Sequence, residues 1–262
     1  MRFCRFLPLR AGALRSSSGV YGLVEIGQIR EIAGAPWGEW SRGSRTWPLA
    51  DVRLLAPVEP TKIVCVGRNY AAHAAELGNE VPGEPLIFLK PPSSLIGPGD
   101  PIVLTRYSSR VEHEGELAVV IGRRCAHLSD ADDPRPAILG YTCLNDVTAR
   151  DLQKSDGQWT RGKGFDTFCP VGPHIETELD PQDVLVETHV NGVQRQSART
   201  SLMAFPVLFL MRWISRMMTL FPGDVIATGT PAGVGPLVAH DVVEVSVEGI
   251  GTLRNMVHPP SG

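Results

Sequence analysis

Short apolar runs closed by turns that contain Gly or Pro dictate the architecture of this chain. Pro-Gly-Asp occurs twice, as Pro98-Gly99-Asp100 and Pro222-Gly223-Asp224, each time just ahead of an apolar run. Pro followed by Gly suits the two central positions of a type II turn, so each triplet predicts a tight turn that feeds a strand. Val184 to Val190 alternates and runs into Asn191-Gly192, a strong hairpin signal. Val243, Val245 and Val247 alternate with Glu244, Ser246 and Glu248, which predicts a strand with one wet face. Ile63 to Val66 is unbroken apolar chain ended by Gly67, the pattern of a fully buried strand. With 27 Gly and 22 Pro in 262 residues, turns recur throughout, and the reading is a strand-rich, mixed α/β fold. Helices are few: 69–77 is alanine-rich, 148–154 follows a strand, and 206–218 places Val207, Leu210, Met211, Ile214 and Met218 on one face.

The length allows one substantial core with a small accessory unit. Ala56-Pro57 to Glu59-Pro60 punctuates the chain and divides it into a small β-rich N-terminal domain, 1–57, and a main domain, 58–262. In the first, Arg2 to Leu7 alternates like an edge strand, Val20 to Ile32 holds two runs around Gly27, and 36–46 reads as loop. A formal charge of −3 gives no basic footprint, which argues against nucleic acid as partner. Five widely spaced cysteines without a C-x-x-C pair argue against a disulfide framework or thiolate zinc, and suit the cytoplasm. Residues 1–20 carry Arg2, Arg5, Arg10, Arg15, three serines and no acid, as transit peptides do. Strand-like alternation and Pro8 oppose an amphipathic helix there. The most apolar stretch, Phe205 to Phe221, is interrupted by Arg212 and Arg216 and is too short to span a bilayer.

Chemistry concentrates in five segments. In Val111-Glu112-His113-Glu114-Gly115-Glu116-Leu117, Glu114 and Glu116 share a face if a strand begins that early. Two such carboxylates raise each other's pKa unless a cation sits between them; the alternative is a solvated strand edge. Asp146 ends the strand-like Tyr141 to Asn145 and could complete a hard-oxygen site for Mg²⁺, Mn²⁺ or Ca²⁺, or cap a helix. His73 and Glu76, three apart after Gly67, form either half of an acid–base dyad or an ordinary helical pair. Lys163, between Gly162 and Gly164, reaches an anion or lies in a surface loop. The Gly- and Thr-rich 227–235 lacks the phosphate-loop pattern but can present backbone N–H groups to a carboxylate. His113 is expected to point away from the two glutamates, and His127, His174, His240 and His258 to lie in loops.

Taken in order, Gly67-Arg68-Asn69-Tyr70…His73…Glu76, Phe88-Leu89-Lys90-Pro91, Glu114-x-Glu116-Leu-Ala-Val-Val-Ile-Gly, Asn145-Asp146-Val-Thr-Ala-Arg150-Asp151, Lys163 and Thr228-Gly229-Thr230-Pro231 closely resemble the fumarylacetoacetate hydrolase family. The resemblance runs from about Lys62 to the C-terminus. It implies rolled, mixed β-sheets with few short helices, and a homodimer. It implies Mg²⁺ or Mn²⁺ held by Glu114, Glu116 and Asp146, with His73 and Glu76 as dyad on a lid segment and Lys163 beside the substrate. Arg68, Tyr70, Arg150, Gln153 and Thr230 fall at substrate-contacting positions. Gly115 departs from the Ala, Leu or Val more usual between the glutamates and is expected to loosen the strand. The implied activity is metal-dependent turnover of 2-oxo or 2,4-dioxo carboxylic acids through an enolate. This is either C–C hydrolysis of acylpyruvates or isomerisation of 2-hydroxyhepta-2,4-diene-1,7-dioate, the latter suggested by Asp166-Thr167-Phe168-Cys169-Pro170. Oxaloacetate tautomerisation or decarboxylation is the alternative, and a non-catalytic, metal-dependent dicarboxylate binder is the alternative from another class.

Overall fold

In the computed structural model, which describes residues 1–9 and 19–260, the turn signals place the strands. Gly99 and Gly223 take positive φ, 78° and 85°. The aspartate after each accepts the N–H three residues back, from Gly97 at 2.9 Å and Phe221 at 2.8 Å. Asn191 and Gly192, both at positive φ, join Leu185–Val190 to Val193–Arg199 as a hairpin. Arg10, Arg15 and the serines of the transit-like segment lie outside the described residues.

Among the described residues, twelve strands form one sheet, five a second and three a third. From one edge, the large sheet runs Trp40–Pro48, Gln28–Gly34, Val20–Glu25, Arg2–Pro8, Cys169–Glu176, Ile138–Asn145, Gly115–Ile121, Val225–Ala227, Ile63–Gly67 and Leu86–Lys90. Most neighbours are antiparallel, but Val225–Ala227 runs parallel to Ile63–Gly67, so the sheet is mixed. The second sheet is built on Leu185–Val190, Val242–Val247 and Gly251–His258. One core lies between these sheets and holds Leu117, Val119, Val186, Val245 and Leu253. Four α-helices occur among the described residues: α1 (Ala71–Glu76), α2 (Arg150–Asp156), α3 (Thr160–Lys163) and α4 (Val207–Met217). Helix α4 buries Val207, Leu210, Met211 and Ile214 in that core. No helix among the described residues is long and apolar enough to cross a membrane.

Three expectations need correction. Arg2–Pro8 is an interior strand, paired with Val20–Glu25 on one side and with Cys169–Glu176 and Val52–Leu55 on the other. Both of its faces are largely covered: Phe3 is buried in one core cluster and Cys4 and Phe6, on the opposite face, in another, while Arg2 and Arg5 pair with Glu176 and Glu59. Residues 40–48 form the sheet's edge strand; their polar, glycine-containing composition reflects exposed side chains. His174 and His258 lie in strands, and burial pushes the His174 imidazole down to about 4.

Gly115 marks a close approach of the two sheets. A Cβ there would lie 2.0 Å from Thr188 Oγ1 and 3.2 Å from a Val245 methyl, so the residue makes room for the second sheet and does not loosen the first. Gly115→Ala is expected to cost about 1–3 kcal/mol by overpacking. Because Thr188 Oγ1 has no hydrogen-bond partner, adding Thr188→Ala should restore most of that loss. Urea denaturation of both single variants and the double variant checks this; simply additive losses would contradict it.

Candidate active site

The chain changes sheets at Glu114. Val111–His113 belongs to the three-stranded sheet and Gly115–Ile121 to the large one, with Glu114 alone between them. Its N–H donates to Asn145 Oδ1 at 2.9 Å, and its carbonyl accepts Asp146 N at 2.8 Å. Asp146 follows the end of Ile138–Asn145, whose last residue pairs with Gly115. This register sets Glu114, Glu116 and Asp146 together: one carboxylate oxygen from each lies within 4.8 Å of the others, and all three are buried. Asp146 is not a helix cap, since α2 starts from Ala149 without a side-chain cap.

Cations alternate with these carboxylates. Lys163 Nζ lies 2.8 Å from Glu114 Oε2 and 2.5 Å from Asp146 Oδ2. Lys90 Nζ lies 2.7 Å from Asp146 Oδ1 and donates to Val147 O at 3.0 Å. Arg150 pairs with Glu114 through Nη2, with Glu112 Oε2 through Nε at 2.6 Å, and donates Nη1 to Gln153 Oε1 at 2.6 Å. Burial alone would raise the Glu114 carboxyl, but Lys163 and Arg150 hold it well below the usual range. Burial likewise disfavours charge on Lys163, yet Asp146 and Glu114 outweigh it and raise its pKa. Glu116 is different: burial, Asp146 and Glu114 push its carboxyl well up, against Lys163 and a 2.7 Å hydrogen bond from Gly229 N. Gly229 aims that N–H from φ 99°, where a Cβ would meet Asn69 Cβ at 2.7 Å. An uncompensated buried carboxylate beside two others, in an all-oxygen donor set, fits a divalent cation.

His73 is buried in α1, with Nδ1 3.5 Å from Glu76 Oε2, an ion-pair distance at which no hydrogen bond is formed. The Glu76 carboxylate also accepts Gly233 N at 3.1 Å, so the 227–235 loop does present backbone N–H groups to carboxylates, those of Glu116 and Glu76. Asn69 anchors the approach to α1: Nδ2 donates to Thr228 O at 2.7 Å and Phe205 O at 3.0 Å, and Oδ1 accepts Phe205 N at 2.8 Å. A cleft of about 350 Å³ is lined by Arg68, His73, Glu114, Glu116, Asp146, Arg150, Gln153, Lys163 and Thr230, with Phe88 and Trp159 as apolar wall.

Two expected site residues do not line the cleft. Tyr70 belongs to the core between the sheets and its buried hydroxyl has no partner, while Glu76 acts from behind His73. Thr230 lines the cleft, but its hydroxyl is bonded to Gly115 O and Gln196 Nε2. His113 faces Gln196, outside the cleft lining. Sequence reasoning quoted Lys90, Asn69 and Glu112 within motifs without giving them a role, and missed Gln196. The signal for Lys90 is a lysine closing the apolar strand Leu86–Lys90; for Glu112 it is a third acid in the alternation of 112, 114 and 116.

Residues 62–258 match the family described as fumarylacetoacetate (FAA) hydrolase, C-terminal, and residues 1–57 match Rv2993c-like, N-terminal. The chain belongs to the fumarylacetoacetate hydrolase family. A structure of 2-hydroxyhepta-2,4-diene-1,7-dioate isomerase from Mycobacterium marinum is similar at TM-score 0.89 and 49% identity, covering 100% of each chain. A structure of maleylpyruvate hydrolase from Sphingobium sp. SYK-6, in complex with manganese(II) ion and pyruvate, is similar at TM-score 0.80 and 33% identity, again covering 100% of each. Oxaloacetate tautomerase YisK of Bacillus subtilis is 41% identical over 254 residues, 88% of this chain and 82% of the relative. Fumarylacetoacetate hydrolase family members thus include hydrolases, isomerases and tautomerases, and this chain is an enzyme of that family with the strand-rich, mixed fold.

Burial pushes the His73 imidazole below its ordinary 6.5, against the carboxylates of Glu114 and Glu76. The neutral base therefore persists to lower pH than a free histidine and is lost only as pH falls through the lowered value. The acid limb of the kcat/KM profile is expected below pH 6.5. Glu76→Gln removes a group that supports the imidazolium, so the limb should move lower still. A limb that moves up would contradict the arrangement.

Proposed function

We propose that this enzyme hydrolyses the acylpyruvate-type C–C bond of 2,4-dioxo carboxylic acids, with Mg²⁺ or Mn²⁺ held by Glu114, Glu116 and Asp146. The buried carboxylate triad carries the reading. Four buried carboxylates, Glu112 included, meet three buried cations, Lys90, Lys163 and Arg150, which leaves one negative charge once Glu116 is ionised to serve as a ligand. A divalent ion turns that balance to one positive charge, suited to an anionic substrate. When bound, such an ion supplies Lewis-acid stabilisation for negative charge developing on the substrate. Oxygen donors alone suit Mg²⁺ or Mn²⁺ and also admit Ca²⁺; the manganese-bound maleylpyruvate hydrolase relative supports the assignment.

The chain's own residues supply the remaining steps. Lys163, held charged by Glu114 and Asp146, is the fixed positive group beside the substrate. His73, neutral through burial and 3.5 Å from the Glu76 carboxylate, takes a proton from water. The resulting hydroxide attacks C4 of the 2,4-dioxo acid, the C3–C4 bond breaks, and the pyruvate enolate left behind takes the proton back from His73. Proton transfer without water would give tautomerisation or isomerisation, a second reading that the YisK and Mycobacterium marinum relatives favour; loss of a β-carboxylate would give decarboxylation. In this reading residues 1–57 form a small domain and 58–262 the catalytic one, in a homodimer. The five free, buried cysteines are in keeping with a cytoplasmic location.

Proton NMR time courses with Mg²⁺ on acetylpyruvate and oxaloacetate, with a chelator control, test the proposal. Acetate plus pyruvate should form from acetylpyruvate, stop on chelation, and slow by about 10²–10⁴-fold in His73→Ala. Faster keto–enol exchange of oxaloacetate alone would replace hydrolysis with tautomerisation. No change in either substrate would overturn both hydrolysis and oxaloacetate tautomerisation and leave isomerisation of a longer dicarboxylate.

A further inference from the structure

We infer that Gln196, a residue of the second sheet that stands outside the cleft lining, is a positioning residue for the Glu116 carboxylate. It acts by clamping the 227–235 loop onto Gly115, between two members of the triad, and the inference rests on the metal reading above. The strand Val225–Ala227 pairs with Gly115–Ile121 as far as Ala227, opposite Ala118. Past that point Thr228 N still reaches Leu117 O at 3.2 Å, and Thr228 Oγ1 reaches the same carbonyl at 2.8 Å. Gly229 N then turns to the Glu116 side chain, donating to Oε2 at 2.7 Å, and Thr230 Oγ1 donates to Gly115 O at 2.9 Å. The loop therefore leaves the ladder where it meets Glu116, and side chains fix its further course.

Gln196 supplies that fixation. Its Oε1 accepts Gly115 N at 3.0 Å, and its Nε2 donates to Thr230 Oγ1 at 2.7 Å and Pro231 O at 2.8 Å. Gly115 N–H, the Gln196 amide, the Thr230 hydroxyl and Gly115 C=O thus close a ring of hydrogen bonds. The amide has one possible orientation, because a backbone N–H faces one end and a backbone carbonyl the other. His113 Nδ1, 3.1 Å from the same Oε1, must then carry its proton, and all four hydrogen-bonding sites of this buried amide are used. Such a fully satisfied buried network has one arrangement and resists distortion.

The clamp grips Thr230 and Pro231, directly after the glycine that serves Glu116. Farther along the loop, Gly233 takes φ 100°, and a Cβ there would lie 2.0 Å from Arg195 O and 3.4 Å from Gln196 Cα. The loop thus also rests on the backbone around Gln196, and from there Gly233 N donates to Glu76. Gly115 makes the reach possible: a side chain at that position would press on Thr188, the cross-strand partner of Gln196. Ligating carboxylates depend on such outer hydrogen bonds for their orientation. With Oε2 pinned by Gly229, the Glu116 carboxylate keeps the placement that brings it to Glu114 and Asp146.

Titration with Mn²⁺ alone, followed by electron paramagnetic resonance, tests the clamp without turnover in wild type, Gln196→Met, Thr230→Val and the double variant. Methionine fills the space of glutamine without its amide, and valine that of threonine without its hydroxyl. Each single variant should hold Mn²⁺ about tenfold more weakly. Because both open the same ring, the double variant should bind no more weakly than the singles. Urea unfolding of the same proteins provides the control. A residue that merely supports the fold would lower the urea midpoint and leave the Mn²⁺ affinity of the folded protein unchanged. Unchanged affinity in Gln196→Met, or losses that add in the double variant, would overturn the clamp and leave the metal reading intact. No Mn²⁺ site in the wild-type protein would overturn both.

Discussion

A buried chain of alternating charge, Glu112–Arg150–Glu114–Lys163–Asp146–Lys90, with the exposed Arg110 outside it on Glu112, runs through the place where the three-stranded sheet meets the large one. Each charge pays its desolvation only through its neighbours, so no member can be removed without leaving a buried partner exposed to the cost. That requirement binds together segments far apart in sequence: the strand Leu86–Lys90, the sheet-switching residue Glu114, the end of Ile138–Asn145, and the two helices α2 and α3. Glu116 is the member the chain does not reach. Its carboxyl is left among like charges with one backbone N–H, and the deficit sits where a divalent cation completes the set.

The fold places this arrangement by interruption of regular structure. Glu114 lies between two strands of different sheets, Asp146 just beyond a strand end, and His73 in a helix six residues long that starts four residues after a strand. Functional side chains occur where the backbone leaves the ladder, because inside a ladder successive side chains alternate between faces already filled. The second sheet closes over the Glu114–Glu116 segment, and Gly115 provides the space. Asn69 and Gln196 then hold the surrounding loops, the first through Phe205 and Thr228, the second through Gly115, Thr230 and Pro231.

Local signals were legible wherever the physics is local. The Pro-Gly-Asp and Asn-Gly turns, the valine alternation of 243–247 and the apolar face of α4 follow from backbone geometry and burial along one segment. Glu114, Glu116 and Asp146 were legible as a group only through their order with the other motifs, since neither spacing nor composition separates a metal site from a wet strand or a cap. Neighbour relations were not legible. Alternation in Arg2–Pro8 tells neither that strands flank it on both sides nor that both of its faces are covered. Lys90 reads as an ordinary lysine at a strand end, because its partner Asp146 is 56 residues away. Tyr70 matches a motif position, yet packing draws it into the core.

The central claim is that the buried carboxylate triad is one cation short and that a divalent ion supplies it. Titration of the protein with Mn²⁺, followed by electron paramagnetic resonance, measures this without substrate. The account predicts one tightly held Mn²⁺ per chain, displaced by Mg²⁺, with affinity reduced by about tenfold or more in Glu116→Gln through loss of a charged oxygen ligand. No saturable site in the wild-type protein, or equal affinity in Glu116→Gln, would contradict it.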